Sequence, residues 1–446
     1  MKILRSFLAI FITLVAIIGF VPPALAFCGF YVAKADTNLY NQASQVIIAR
    51  DGERTILTMA NDYQGEVQDF ALVVPVPVLL TEEQVRVGEP KIIERLDNFS
   101  APRLVEYFDP NPCATDYFTG GGGFAPAAGS PSFGRTRGAP REQALGVTVE
   151  AKFTIGEYDI LILSAQESDG LETWLLQNDY NIPQGASQLL RPYIRDKMKF
   201  FVAKVNLEAF EKSDFQSLRP LSIAYESPRF MLPIRLGTIN GQNEQDLIVY
   251  LLSPKGQVEL TNYRTVKIPA DIEIPEFVED EFSAFYKSMF QTAHEKERKT
   301  VAFLEYAWDM GWCDPCAANP LTPDELKQAG VFWLPQNQNN RRGGNNVFIT
   351  RLHVRYTRNT FPEDLRFQET GDRENFQGRY IIRHPYRGEM ECDAAQTYRQ
   401  QVKERQEKEI QTLARVTSWD VAEIRQKVDA SNSRVEQWWR EIWEEK

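Results

Sequence analysis

Alternating apolar and polar positions predict β-structure for the first part of the chain. Gln45–Arg50 and Arg54–Met59 place branched and apolar residues at strand-like spacing. Asp51-Gly52 lies between these segments and is a strong signal for a hairpin turn. We therefore predict a β-rich N-terminal module over residues 27–113.

The pattern then becomes mixed. Residues 114–145 are rich in Gly, Ala, Pro and Ser, which predicts a flexible loop or linker rather than a phosphate-binding loop. Residues 146–274 alternate between strand-like runs and two short helical patterns, so we predict a mixed α+β module. Its strands are expected to include Arg229–Ile239 and Val258–Ile268, joined by turn residues typical of antiparallel connections.

Helical spacing dominates the rest of the chain. Residues 275–334 form a predicted helical segment with a Cys-x-x-Cys motif, and Thr300–Met310 within it is a helix candidate. Residues 335–392 are predicted to be a loop with short strands. Residues 393–446 are predicted to be helices, the last with two adjacent tryptophans on one face. The expected fold is α+β, with antiparallel β-rich modules and a predominantly helical C-terminal third.

The N-terminus has the features of an export signal. Lys2 and Arg5 precede an uncharged apolar run over residues 7–21, and Ala24 and Ala26 then supply the small residues that a signal peptidase needs. The run has 15 residues before the prolines, whereas a transmembrane helix needs about 20. We predict a signal peptide over residues 1–26 and a periplasmic or extracellular location. An uncleaved membrane anchor is the alternative.

Composition and charge narrow the classes of partner. Hydrophobic residues make up 43% of the chain and charged residues 25%, which is ordinary for a globular protein. The formal net charge is -11, which disfavours nucleic acid as a partner. The expected partner is an envelope protein or ligand of unknown identity, and membrane association is expected only if the N-terminal segment stays uncleaved.

Export would expose the cysteines to an oxidising compartment, where disulfides persist. Five cysteines leave one thiol without a partner in the same chain, and spacing alone does not give the connectivity. We expect disulfides to tie distant segments together. The candidate residues are Cys28, Cys113, Cys313, Cys316 and Cys392.

The Trp-Cys-Asp-Pro-Cys sequence that ends at Cys316 resembles the active site of thioredoxin-like oxidoreductases. In that chemistry Cys313 would be the nucleophile and Cys316 the resolving thiol, activated by a helix that begins at the motif after a strand. Here the preceding segment has helical spacing, and Pro320 interrupts any helix that follows within about one turn. A structural disulfide is therefore the favoured interpretation, either between Cys313 and Cys316 or from these two to Cys28, Cys113 or Cys392. Thiol–disulfide oxidoreductase activity is the alternative.

No other motif in the sequence indicates a particular reaction. The chain has neither a Gly-x-Ser-x-Gly elbow nor a His-Glu-x-x-His helix. A metal site assembled from Cys313, Cys316, Cys392 and His384 lacks any supporting spacing, so we predict neither a metal nor a cofactor. The acidic residues over 276–281 are interpreted as the favoured charges of a first helical turn. We favour a non-catalytic role in binding, scaffolding or as an accessory protein.

Several short segments of the chain resemble the sequences of one known family. They are Cys28–Asp36, Thr58–Gly65, Val73–Pro77, Tyr107–Cys113 and Gly311–Cys316. The family is the bacterial "domain of unknown function 2330" group of exported proteins, and the resemblance covers most of the chain that follows the signal peptide. It implies a location in the cell envelope and a shared fold. It implies no catalytic residues.

Overall fold

The structure is a computed structural model. It describes residues 30–33, 44–60, 70–113, 143–144, 147–178, 186–211, 218–239, 244–312, 319–334 and 346–431. The predicted signal peptide, most of the predicted linker and the helix with two tryptophans lie outside these ranges. Within them, no helix combines the length and the apolar character needed to cross a membrane.

Strands outnumber helices along the described chain. The strands are β1 (Phe30–Ala33), β2 (Ser44–Asp51), β3 (Arg54–Ala60), β4 (Phe70–Val76), β5 (Val85–Val87), β6 (Arg103–Phe108), β7 (Gln143–Ala144), β8 (Val147–Ile155), β9 (Tyr158–Ala165), β10 (Lys199–Val205), β11 (Leu221–Glu226), β12 (Met231–Leu232), β13 (Gln245–Ser253), β14 (Val258–Leu260), β15 (Arg264–Lys267), β16 (Ile272–Glu273), β17 (Val301–Asp309), β18 (Phe348–Tyr356), β19 (Leu365–Glu369), β20 (Phe376–Gln377) and β21 (Arg379–His384). The helices are α1 (Pro90–Ser100), α2 (Ser168–Gln177), α3 (Ala186–Arg195), α4 (Leu207–Glu211), α5 (Phe282–Lys296), α6 (Pro323–Gln328) and α7 (Ala394–Thr417). Residues 421–431 are also helical, and short 3₁₀ turns cover Glu82–Gln84, Arg235–Ile239 and Glu276–Val278.

Two large sheets form the centre of the fold. A six-stranded antiparallel sheet has the order β1-β4-β10-β9-β8-β7, and a nine-stranded mixed sheet has the order β15-β17-β18-β13-β2-β3-β11-β5 with β20 beside β17. The predicted hairpin is confirmed, since β2 and β3 pair up to Asp51 and Arg54. Gly52, with a φ of 62°, begins the two-residue turn between them.

These sheets pack face to face, and helices cover their outer faces. The core between the sheets includes Leu72, Val74, Ile160, Ile162, Phe201 and Ala203 from the smaller sheet and Val46, Ile48, Leu57, Met59, Val249 and Leu251 from the larger one. On β2, Ile47 and Ala49 point the other way and pack under α1 and α6. Strands covered on both faces have no polar side, which explains their continuous apolar sequence.

The helix layers complete a four-layer arrangement of helices, sheet, sheet and helices. Leu171 of α2 and Leu190 of α3 pack on the outer face of the six-stranded sheet. Helices α5 and α7 cover part of the larger sheet, through residues such as Met289 and Leu413. The predicted α+β class and the C-terminal helices are confirmed. The segment boundaries predicted from the sequence, such as the β-rich module over residues 27–113, stay predictions.

Three local predictions are wrong. Thr300–Met310 is not a helix but contains β17, whose first seven residues are all buried between neighbouring strands and helices. Arg229–Ile239 is not a continuous strand, because Pro233 follows the two-residue β12 and a 3₁₀ turn comes next. The expected antiparallel connections after β13 are absent, since β14 pairs with β19 and β15 lies parallel to β17.

The C-terminal part of the chain is built into the fold through a small parallel sheet. Strand β21 lies between β16 and β6, parallel to both. The predicted disulfide tie is present here: Cys113 follows β6 and Cys392 precedes α7, with their sulfurs 2.09 Å apart. The bond joins residues that are 279 positions apart in the sequence.

Candidate functional site

A cleft with a volume of about 760 Å³ lies where three parts of the fold meet. One wall is formed by the end of α3 and the turn that leads to β10, and a second by the loop over residues 229–235. The third is β19 with the residues just before it. The cleft therefore lies between the helix layer of the six-stranded sheet and the small sheet β12-β19-β14.

Asp364 holds two walls of the cleft together. The hydroxyl of Tyr193 donates to Asp364 Oδ1 at 2.6 Å, and the backbone N–H groups of Ile234 and Arg235 donate to the same oxygen at 3.0 and 3.1 Å. Burial raises the pKa of Asp364, although these donors and the Arg235 cation act in the opposite direction. Burial and the neighbouring Asp364 charge raise the pKa of Tyr193 well above its usual value. Hydrogen bonds to the buried Asp364 carboxylate therefore fix Tyr193 and the loop over residues 229–235 relative to Asp364.

Four guanidinium groups line the cleft, against three carboxylates. The cations are Arg195, Arg229, Arg235 and Arg366, and the anions are Asp196, Glu363 and Asp364. The lining thus carries one excess positive charge, on a chain whose formal net charge is -11. Arginine is the residue best suited to bind carboxylate and phosphate groups, because its planar fork donates two parallel hydrogen bonds.

Two of these arginines keep donor groups that described residues do not occupy. Arg229 Nη2 donates to the backbone oxygen of Asp196 at 3.2 Å, and Arg229 is exposed. Arg235 Nε is buried and has no hydrogen-bond partner among the described residues, although it lies 3.5 Å from Asp364 Oδ2. A bound anion could therefore accept from the exposed Arg229, whereas Arg235 Nε is shielded from solvent and faces Asp364.

The cleft also has an apolar lining. Phe230 and Phe367 face each other with ring centroids 5.2 Å apart, and Met231 lies beside Phe230 in the sequence and also lines the cleft. Arg50 packs its guanidinium carbon 4.6 Å from the Phe230 centroid, and it is itself held by hydrogen bonds to Thr55 and the backbone of Ser227. The aromatic lining is therefore supported by the packed interior.

A second polar cluster lies between the nine-stranded sheet and α5. Glu305 of β17 accepts a hydrogen bond from Arg351 Nε at 2.6 Å and lies 2.7 Å from His353 Nδ1. His353 Nε2 lies 3.0 Å from Asp246 Oδ1 of the next strand, and Tyr286 of α5 donates to Glu305 from the other side. All but Asp246 and Tyr286 belong to the buried residues.

A β-bulge places Glu305 in this cluster. Leu304 pairs with Leu352 and Tyr306 pairs with Arg351, so Glu305 is the extra residue of β17. Bulges re-aim a side chain relative to a regular strand. The buried carboxylate therefore depends on a local irregularity that alternation in the sequence does not reveal.

The charges of this cluster suit a structural role. Burial lowers the pKa of His353, but Glu305 and Asp246 outweigh it and raise the pKa overall. Both ring nitrogens of His353 face carboxylate oxygens, an arrangement that favours the imidazolium form, in which each N–H donates to one carboxylate. Burial would raise the pKa of Glu305, but His353 and Arg351 lower it to about 2. The contacts of Glu305 with Arg351 and His353 therefore favour a buried ion-pair network.

Comparison with known proteins gives one family. The model of DUF2330, described as an uncharacterised protein conserved in bacteria, matches residues 22–368. The chain belongs to this family. The resemblance inferred from the sequence is thereby confirmed, and neither a curated protein nor a solved structure matches the chain. In this DUF2330 protein the cleft lies wholly within the matched range, whereas Cys392, β21 and α7 follow it.

Of the disulfide candidates in the DUF2330 protein, Cys113 and Cys392 are bonded, and Cys28, Cys313 and Cys316 lie outside the described residues. The motif follows a strand, since β17 ends at Asp309, where a helix had been expected. The first helix described after the motif is α6, which has only six residues. The strand that thioredoxin-like chemistry requires before the motif is therefore present. Among the described residues, no long helix follows close behind the motif.

Cys392 Sγ is bonded to Cys113 and is therefore not available as a thiolate ligand. His384 lies instead with Glu106 and Glu279, and their ligand atoms are all within 4.8 Å of one another. Among the described residues these three could hold a metal ion. The sequence does not reveal the cleft either, because its four arginines are far apart in the chain and meet only through the fold.

Proposed function

We propose that this DUF2330 protein is exported to the cell envelope and acts there as a non-catalytic binding or accessory protein. The basic and apolar N-terminal segment supports export, and so does the Cys113–Cys392 disulfide, because such bonds persist in oxidising compartments. Mass spectrometry of the protein recovered from the periplasm or medium tests this: we expect a chain that begins at Phe27. A chain that begins at Met1 in the cytoplasm would contradict export.

The cleft is the proposed binding site, and its ligand class is a small organic anion with an apolar part. The observation that carries this proposal is the set of four guanidinium groups around an aromatic lining in an otherwise acidic protein. The volume lies in the range of about 300–1,000 Å³ that is usual for small-molecule sites.

Titration calorimetry with two amphiphiles of the same tail length tests the ligand class. Octyl phosphate, below its micellar concentration, should bind saturably, and octyltrimethylammonium should not. Arg229→Gln and Arg366→Gln should each weaken octyl phosphate binding by roughly tenfold, since a charged hydrogen bond contributes about 1.5–3 kcal/mol. Arg86→Gln, an exposed arginine on β5, is the matched control and should change nothing. Equal binding of the two amphiphiles would sink the proposal.

Thiol–disulfide oxidoreductase activity is the alternative function, and only the strand before the motif favours it. It predicts that Cys313 and Cys316 interconvert between dithiol and disulfide near the potentials of glutaredoxins or disulfide isomerase. Alkylation and mass spectrometry across a glutathione redox series measures this. A Cys313–Cys316 pair that stays in one state throughout the series would exclude the alternative.

A further inference from the structure

We propose that Glu106, Glu279 and His384 bind one divalent transition-metal cation at the end of the parallel sheet. One carboxylate oxygen from each glutamate and one ring nitrogen lie within 4.8 Å of one another. An ion at the centre of such a group could approach all three atoms at about 2.0–2.2 Å after small side-chain movements. This site is separate from the cleft and does not rest on the function proposed for it.

The fold explains why these three side chains meet. Strand β21 is parallel to β6, and Ile382 pairs with Glu106 while His384 pairs with Phe108. His384 is two residues beyond Ile382, so it lies on the same face of the sheet as Glu106. Glu279 comes from a third element, since it directly follows the 3₁₀ turn that succeeds β16. The site therefore needs the C-terminal strand to be in place.

The surroundings of His384 are those of a metal-binding histidine. Its Nε2 lies 2.8 Å from Glu106 Oε2, and its Nδ1 faces Glu276 Oε2 at 3.8 Å on the other side. Glu276 lies beyond hydrogen-bond distance of Nδ1, but its negative charge is on the side of the second ring nitrogen, where a carboxylate can approach to orient a metal-bound imidazole. Arg387 holds that Glu276 oxygen at 2.5 Å, and Phe108 stacks on the imidazole at 4.5 Å. The ring is thus held from three directions.

Donor type and charge indicate which ion fits. Two carboxylates and a neutral imidazole provide two negative charges, which balance a divalent cation. One nitrogen and two oxygens suit Zn²⁺ or a neighbouring transition metal better than Ca²⁺, which takes 6–8 oxygens. Three protein ligands would leave coordination positions open to water or a further ligand.

Glu279 separates this proposal from a simple ion pair. His384 and Glu106 could form a surface ion pair without any metal, and Glu279 would then contribute nothing to it. Glu279 is exposed, and no hydrogen bond or ion pair of its carboxylate is found among the described residues. A change at Glu279 should therefore leave the fold intact and affect only the binding of a cation.

The test is a calorimetric titration of the full-length protein with Zn²⁺. Cys28, Cys313 and Cys316 are first replaced by Ser, because free thiols would compete for the ion. We expect one equivalent of Zn²⁺ to bind, and Glu279→Gln and His384→Asn each to weaken binding by at least about tenfold. Glu404→Gln, an exposed carboxylate on α7, is the matched control and should bind as tightly as the parent. Ca²⁺ should compete poorly.

Nitrogen NMR of the imidazoles gives a second readout, because the chain has three histidines. Zn²⁺ should shift the ring nitrogens of His384 and leave those of His294 and His353, which are both buried, unchanged. If Zn²⁺ affinity is the same in Glu279→Gln, or His384 does not shift, an adventitious ion only is present and the proposal is overturned. Equal affinity for Ca²⁺ would overturn the assignment to a transition metal.

Discussion

Arg351 Nε lies 2.6 Å from Glu305 Oε2, with 7% and 1% of the two side chains exposed. Removing one partner of such a buried pair leaves the other charge desolvated and uncompensated, which typically costs about 3–5 kcal/mol. We therefore expect Glu305→Gln to lower the free energy of unfolding by about that amount in urea denaturation.

A matched control is available on the surface. Lys267 and Glu374 are 3.2 Å apart, but 49% and 69% of their side chains are exposed. Exposed pairs contribute about 0–1 kcal/mol, so Glu374→Gln should change stability very little. Similar losses in the two glutamine variants would contradict a burial-dependent role for Glu305.

The same cluster predicts a loss of stability in acid. Burial raises the pKa of Glu305, but the His353 and Arg351 cations lower it from 4.5 to about 2. Because the folded pKa lies below the unfolded one, this stabilisation is present above about pH 4.5 and is lost as pH falls towards 2. The melting temperature should therefore fall over this window, and less steeply in Glu305→Gln. Parallel curves for the two proteins would exclude Glu305 as the titrating group.

The contribution of Glu409 of α7 to stability should change with pH in the opposite direction, falling as pH rises towards neutral. Burial, with the charges of Glu273 and Glu276, raises its pKa to about 7, although Arg405 acts against the shift. A raised carboxyl pKa stabilises the fold below the unfolded value and loses that contribution as pH rises through about 7. Glu409→Gln should therefore melt higher than the parent at pH 8, and the difference should shrink towards pH 5.

The control for Glu409 lies on the same helix. Glu404 is exposed, and its carboxylate accepts a hydrogen bond from Gln400 on the same helix. Glu404→Gln should therefore follow the pH profile of the parent. Melting curves at both pH values for the three proteins make the comparison. A Glu409→Gln profile that runs parallel to the parent would show that this carboxyl does not titrate in the window.

Local signals account for the parts of the fold that could be predicted. The β2–β3 hairpin has alternating strands and a turn glycine, and α7 begins one residue after the predicted Asp393. By contrast β17 was taken for a helix, because a short apolar strand that is buried on both faces has no alternation. Periodicity therefore fails where neighbours cover both sides of an element.

The sites depend on contacts between distant residues, which no local pattern contains. Arg229 and Arg366 line one cleft although 137 positions separate them, and His384 meets Glu106 across 278 positions. The predicted export makes disulfides expected, but the pairing of Cys113 with Cys392 depends on the position of β21 beside β6. The sequence shows which residue types are available for these sites, whereas sheet topology decides which of them become neighbours.

Gly256 should be intolerant of any side chain. A Cβ at this position would lie 2.1 Å from the backbone oxygen of Asp372, which accepts a hydrogen bond from the Gln257 N–H at 2.7 Å. Because a backbone oxygen cannot rotate away, Gly256→Ala should cost about 1–3 kcal/mol in the free energy of unfolding. Gly371→Ala, where nothing lies within 4 Å, is the control and should be much milder. Equal effects would contradict a steric cause.

The Cys113–Cys392 bond should contribute substantially to stability, because it joins residues 279 positions apart. Cross-linking a long loop restricts the unfolded chain, and loss of such a bond typically costs about 2–5 kcal/mol. The double variant Cys113→Ser/Cys392→Ser should therefore melt lower than the parent under oxidising conditions. With Cys28, Cys313 and Cys316 replaced by Ser in both proteins, dithiothreitol should lower the melting temperature of the parent to that of the variant and leave the variant unchanged. If the parent keeps its melting temperature when non-reducing peptide mapping shows the bond to be reduced, the bond does not stabilise the attachment of β21 and α7.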